Sequence, residues 1–348
     1  MAEKIKVLVV DDSELIRQIL SGIINSSSDM TVVGVAVDPY DAREKIKQLA
    51  PDVLTLDIEM PKMDGISFLR NLMRLRPMPV VMISTLTEKG APATLEALEI
   101  GAVDYLPKPK VDQANGLNEY AFEIIEKVRT AARANLQLHD TLINRREPKP
   151  SATNVYSPGR FIAIGASTGG TEAIKEVLQV MPANCPPIVI AQHIPPLFST
   201  TFADRMNRTC LIQVREAQTG MKLESGNAYL APGDFHLRVN RRGVDYYCEL
   251  TQTEPVNRHR PSVEVLFDSA REAGGAKCVA AILTGMGSDG AEALLRLRGE
   301  GCHTVAQDQE TSVVWGMPGV AVKLGAAEAI LPLHRVAKFL LDKCSTKK

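Results

Sequence analysis

From residue 5 onward, short β-branched apolar runs alternate with stretches whose apolar residues recur at helical spacing. Residues 5–10, 31–37, 53–57, 80–84 and 104–107 read as strands. Residues 15–25, 41–49, 65–74 and 93–100 read as helices, with a further helix from Glu119 towards Leu138. Five such strand–helix units predict a parallel, doubly wound α/β sheet. The text then turns polar and proline-rich from about residue 137 to 160, through Arg145, Arg146, Pro148 and Pro150, which predicts a linker. A second alternation follows, with strands at 161–164, 187–192, 278–283 and 303–306 and helices at 171–180, 198–207 and 290–299. Between these lies an irregular, strand-rich middle, where an antiparallel insertion is expected around residues 228–250. The expectation is two doubly wound parallel-sheet domains, the second with that small insertion.

Length and charge agree with two domains. The chain has 348 residues, 45% hydrophobic and 23% charged, an ordinary globular mixture. Lys and Arg number 40 against 41 Asp and Glu, and no basic run is present, so a nucleic-acid partner is not expected. No apolar stretch has the length of a membrane span, and the first residues do not have the shape of a signal peptide, so a cytoplasmic protein is expected. The cysteines Cys185, Cys210, Cys248, Cys278, Cys302 and Cys344 show no Cys-x-x-Cys spacing and read as reduced, mostly buried thiols.

Chemistry gathers at predicted strand ends. Asp11 and Asp12 follow the first strand, Asp57 ends the third, Ser84 ends the fourth and Lys108 follows the fifth. In an open parallel sheet the carboxyl edge is where ligands bind, so these residues converge on one crevice. Any one of the aspartates alone reads as a helix cap. Together, three carboxylates repel one another unless a cation joins them, and Mg²⁺, a hard ion that keeps waters and accepts phosphate oxygens, is the natural one. Lys108 then offsets phosphoryl charge, and the implied chemistry is an acyl phosphate. These residues, with the loop of residues 60–65, resemble the receiver domain of two-component response regulators. The resemblance implies that Asp57 is the phosphoacceptor and that Ser84 and Lys108 are the switch residues. It further implies that Asp12 and Asp57 hold Mg²⁺ directly, Asp11 holds it through water, and the carbonyl of Glu59 completes the set.

In the second half, Gly165-Ala166-Ser167-Thr168-Gly169 fits the G-x-S-x-G elbow between a strand and a helix. The glycines do not space as G-x-G-x-x-G and no Walker lysine follows, which weighs against a nucleotide-phosphate loop. His193 ends the next strand, and Asp289 follows the strand at 278–283, so a Ser-His-Asp relay is available at one sheet edge. His236 and His259 compete with His193, but neither ends a convincing parallel strand. The order Ser, His, Asp differs from the Ser, Asp, His order of α/β-hydrolases, so the elbow does not license that fold.

The second half resembles the catalytic domain of the chemotaxis methylesterase, through residues 164–170, 192–196, 231–237, 283–290 and 316–318. The resemblance spans nearly the whole chain. It implies a flavodoxin-like receiver at 4–130, a linker at 131–158 and a Rossmann-like methylesterase domain at 159–346. The implied activity is hydrolysis of glutamate γ-methyl esters on chemoreceptor helices with release of methanol, and deamidation of glutamines there. Ser167, His193 and Asp289 would form the triad, with backbone N–H groups near Thr168 and Met286 facing the oxyanion. Mg²⁺ would serve the receiver alone, with no cofactor for ester hydrolysis. Methyl-accepting receptors would be substrate, a chemotaxis histidine kinase the phosphoryl donor, and the protein a monomer, not membrane-embedded, recruited to receptor clusters. The receiver is expected to block access to the triad until Asp57 is phosphorylated. A receiver-gated hydrolase of another chemosensory-type pathway, or of another ester or amide, and a receiver-gated binding module are the alternatives.

Overall fold

The computed structural model describes residues 3–84, 90–108, 117–136 and 155–346. Most of the expected linker, with Arg145 and Arg146, lies outside the described residues. The chain divides into two compact units, Met1–His139 and Asp140–Lys348.

In the first unit, strands β1 (Ile5–Val10), β2 (Met30–Ala36), β3 (Val53–Asp57), β4 (Val80–Ser84) and β5 (Asp104–Pro107) alternate with helices. These are α1 (Glu14–Ser26), α2 (Pro39–Leu49), α3 (Gly65–Leu75), α4 (Gly90–Ile100) and α5 (Leu117–Ala131). The strands pair in parallel in the order β2-β1-β3-β4-β5. That is the flavodoxin-like order, with its switch point between β1 and β3. Every residue of β3 and β4 is buried, as expected for strands covered by helices on both faces. Ser13, Asp38 and Asp64 cap α1, α2 and α3 by accepting backbone N–H bonds. The helix expected to run towards Leu138 ends at Ala131, where bonds to Thr130 and Ala131 three residues back tighten the last turn.

The second unit holds a seven-stranded sheet and a separate hairpin. Its strands are β6 (Phe161–Ala166), β7 (Ile188–Gln192), β8 (Gln213–Glu216), β9 (Asn227–Leu230), β10 (His236–Arg242), β11 (Asp245–Thr251), β12 (Cys278–Ile282), β13 (His303–Gln307) and β14 (Ala329–Leu331). The helices are α6 (Gly170–Gln179), α7 (Phe198–Thr209), α8 (Val263–Gly274), α9 (Ala291–Gly299), α10 (Met317–Lys323) and α11 (Leu333–Cys344). The large sheet is parallel throughout, in the order β14-β13-β12-β6-β7-β9-β8. Successive crossovers leave β6 towards β7 on one side and return to β12 on the other, so β6 is the topological switch point.

The antiparallel insertion is smaller than the expected span of 228–250. β9 belongs to the main sheet, because all four of its residues are buried between β7 and β8. Among the named strands of the described residues, β10 and β11 alone pair antiparallel with one another, and they alternate buried and partly exposed positions as a one-sided hairpin does. Residues 155–157 pair with the end of α11: Ser157 N–H donates to the Cys344 carbonyl, and Thr346 N–H donates to that of Val155. All six cysteines are free, and five of them are buried.

Candidate active site and phosphoacceptor pocket

Ser167, His193 and Asp289 follow β6, β7 and β12, three adjacent strands with the serine on the middle one. Backbone bonds past the strand ends hold this edge together. Ser167 N–H donates to Thr284 O at 3.0 Å, and His193 N–H donates to Ala166 O at 3.2 Å. The turn after Ser167 is tight, since Gly170 N–H reaches back to Ser167 O at 2.7 Å while Gly169 has φ +74°. Gly285 lets the loop after β12 approach the nucleophile, because a Cβ there would lie 2.8 Å from the Cβ of Ser167.

The three side chains meet. Ser167 Oγ lies 3.0 Å from His193 Nδ1, and His193 Nε2 lies 2.8 Å from Asp289 Oδ2. Asp289 is 2% exposed and fully engaged. Its Oδ1 accepts from Asn257 Nδ2 and Ser262 Oγ, each at 2.8 Å, and its Oδ2 accepts from Val263 N–H at 2.6 Å. Val263 and Glu264 open α8, so the carboxylate sits at a helix N-terminus, where backbone donors and the helix dipole favour negative charge. Burial alone would raise its pKa, but the bond to His193 and those from Asn257 and Ser262 hold it well below the usual carboxylate range. With Asp289 ionised, a proton on Nε2 completes the bond to Oδ2, and the Nδ1 lone pair then faces the serine hydroxyl.

Residues that the sequence reading named only as motif members, rivals of His193 or oxyanion positions take definite places around these three side chains. Gln192 is buried, and its Nε2 donates to the carbonyls of Ser167 at 2.9 Å and His193 at 3.1 Å, tying two triad positions together. His259 stacks on His193 with ring centroids 3.6 Å apart and planes 15° from parallel. His236 is a satisfied core histidine: Nδ1 accepts from Ser262 N–H and Nε2 donates to Glu254 O. Thr168 is buried, and its carbonyl accepts from Thr284 Oγ1 at 3.0 Å; Met286 is half-buried beside Gly285.

The first unit gathers its own acidic pocket. Asp11, Asp12 and Asp57 bring carboxylate oxygens within 4.8 Å of one another; Asp11 and Asp57 are buried and Asp12 is exposed. Lys108 Nζ lies 2.7 Å from Asp57 Oδ2 and 3.3 Å from Asp11 Oδ2. Burial and the neighbouring Asp11 charge push the Asp57 carboxyl up to about 6 against the pull of Lys108. Asp11 is also raised, chiefly by burial, and its Oδ2 makes no directed hydrogen bond. A crowded all-oxygen donor set of three carboxylates, with Lys108 as the partner of the two buried ones, fits a hard divalent cation such as Mg²⁺. Ser84 is buried at the end of β4 and accepts from Thr94 Oγ1 on α4 at 3.1 Å. The Glu59 side chain is exposed, while its backbone N–H bonds the Asp57 carboxylate.

Comparison with known proteins agrees with both halves. The model of the CheB methylesterase family matches residues 162–340, and that of the response regulator receiver domain matches residues 7–118. The chain is 56% identical over 336 residues to protein-glutamate methylesterase/protein-glutamine glutaminase 2 of Saccharophagus degradans, covering 96% of this chain and 97% of that protein. It is 54% identical to the corresponding enzyme 1 of Hahella chejuensis, covering 95% and 94%. The crystal structure of the Thermotoga maritima CheB methylesterase catalytic domain superposes with a TM-score of 0.52 at 36% identity, covering 53% of this chain and 99% of that one. The chain belongs to the CheB methylesterase family and carries a response regulator receiver domain ahead of its catalytic domain.

Proposed function

We propose that the chain hydrolyses glutamate γ-methyl esters on chemoreceptors, releasing methanol, and deamidates glutamines at such sites. The observation that carries this reading is the single imidazole of His193 bridging Ser167 Oγ at 3.0 Å and a buried, ionised Asp289 at 2.8 Å. Ser167 attacks the ester carbonyl while His193 Nδ1 takes its proton. The alkoxide leaves with that proton as methanol, and water attacks the acyl-serine with His193 again as base. The oxyanion donors are assigned to backbone N–H groups near Thr168 and Met286.

Asp57 is the phosphoacceptor in this reading. Asp12, Asp57 and the carbonyl of Glu59 would hold Mg²⁺ directly and Asp11 through water, while Lys108 would pair with the phosphoryl oxygens and Ser84 would report the change. The chemistry Mg²⁺ would supply there is neutralisation of charge on an incoming phosphoryl group. A chemotaxis histidine kinase supplies that group, and phosphorylation raises hydrolase activity. The protein acts from the cytoplasmic side; among the described residues no helix is long and apolar enough to cross a membrane.

Methanol release from methylated receptor membranes tests the reading. Ser167→Ala is expected to lower kcat by at least about 10³-fold. Wild-type release matched by the variant removes Ser167 as nucleophile. Turnover of other esters without methanol from receptors moves the enzyme to another substrate, and no turnover at all favours a binding module.

A further inference from the structure

The Ser167–His193–Asp289 geometry leaves one freedom open. Hydrogen bonds at Nδ1 and Nε2 lie in the plane of the imidazole, and they resist in-plane shifts better than tilting of the ring about the line joining them. The stacked ring of His259, 3.6 Å away, covers that unguarded face.

How His259 reaches it is written in the backbone. Val256 and His259 exchange both backbone hydrogen bonds, at 3.1 and 2.9 Å, so Asn257 and Arg258 are the two central residues of a tight turn. Their φ values are +53° and +68°, the sign pattern of a type I′ turn. Asparagine tolerates that region, but arginine takes it at a cost, and such strain persists only where its surroundings impose it. Here they do. Arg260 Nε bonds Asp234 Oδ1 at 2.9 Å and its Nη1 bonds Thr253 O at 2.8 Å, while His236 joins Glu254 O to Ser262 N–H. From this anchored loop the turn sends Asn257 to Asp289 Oδ1 and His259 onto His193.

We propose that the turn of residues 256–259 is a positioning device for the triad, and that His259 is a positioning residue which holds the His193 ring at the tilt proton transfer requires. The flat face of His259, rather than its titration, does this. The inference rests on the triad reading above.

The test uses the full-length protein with His259→Ala, His259→Phe and His259→Leu. Two readouts are taken: kcat and KM for methanol release from methylated receptor membranes, and the rate at which a small fluorophosphonate labels Ser167. For His259→Ala, kcat and labelling rate are expected to fall about 10-fold or more, with KM within about twofold, because misplacing a reacting group costs rate rather than ground-state binding. His259→Phe should return both to within about threefold of wild type, and His259→Leu, bulky but not flat, should not. Wild-type rates in His259→Ala, or His259→Phe as slow as His259→Leu, overturn the proposal. Should the Ala variant unfold, the Phe and Leu pair decides alone. Absence of receptor methanol release in the wild type counts against the proposed substrate, while the labelling rates still judge His259.

Discussion

Ser167 approaches His193 at Nδ1, the ring nitrogen nearer the backbone, at 3.0 Å, and leaves Nε2 to Asp289. The nitrogens thus exchange the roles they have in chymotrypsin, where Nε2 serves the nucleophile. In ¹⁵N-labelled protein at neutral pH, His193 is expected to be the Nε2–H tautomer, with that proton shifted far downfield and lost in Asp289→Ala. A resting Nδ1–H tautomer contradicts the arrangement.

Asp289 carries two duties, orienting His193 and terminating α8. Asp289→Asn keeps the shape but presents an amide where an acceptor is needed, so kcat should fall about 10³- to 10⁴-fold. Asp289→Ala should in addition lower stability by about 2–3 kcal/mol, since the Val263 N–H and the Ser262 hydroxyl lose their buried acceptor. Denaturation midpoints of the two variants separate the duties.

Phosphorylation should act through Asp57 and need a divalent cation. A small acyl-phosphate donor with Mg²⁺ is expected to raise methanol release by the wild type, and Asp57→Asn or chelation to abolish the rise while basal turnover remains. Stimulation that survives in Asp57→Asn points to another acceptor.

Removing the receiver bears on whether it inhibits. A chain starting at Val155 retains the bonds to residues 344–346 and is expected to outpace the unphosphorylated full-length protein. A shift from 1:99 to 99:1 between closed and open states takes about 5.5 kcal/mol, so partial stimulation by one phosphoryl group is the natural outcome. A fragment no faster than the intact chain removes inhibition by the receiver.

The contribution of Glu176 to stability should fall as pH rises from acid towards neutrality. Glu176 on α6 is pushed up to about 7 from an ordinary 4.5, first by burial and then by Glu172 one turn away. A raised carboxyl means that the folded form holds its proton after the unfolded chain has released it. Stability is therefore greatest below the unfolded value and declines across the window up to about 7. With solvent screening the loss is about 1–2 kcal/mol, and Glu176→Gln should flatten the profile of denaturation midpoint between acid and alkaline buffer.

The meeting of Ser167, His193 and Asp289 was legible because Ser167 and His193 directly follow parallel strands and Asp289 lies on the loop after a third, so all three stand at one carboxyl edge. Asp11, Asp12, Asp57, Ser84 and Lys108 were legible for the same reason. Asn257 was not, and His259 entered only as a rival of His193, since their reach depends on two positive φ values in a sequence, Val-Asn-Arg-His, without the glycine that announces such a turn. The extent of the insertion was misjudged at β9, whose alternation of Asn, Ala, Tyr and Leu suits an antiparallel strand although the fold buries both faces. Asp289 as the acceptor of the α8 amides was hidden because helix and carboxylate lie 26 residues apart in sequence.

The clasp between residues 155–157 and 344–346 brings the entry and exit of the hydrolase chain to one place. A domain closed in this way is a cassette: whatever is spliced ahead of it leaves the path of the fold unchanged. The same closure permits circular permutation, with the joined ends reopened at Gly243, whose hairpin tip has no heavy atom within 4 Å of a built Cβ. A regulatory domain can then be exchanged by recombination without redesign of the catalytic sheet.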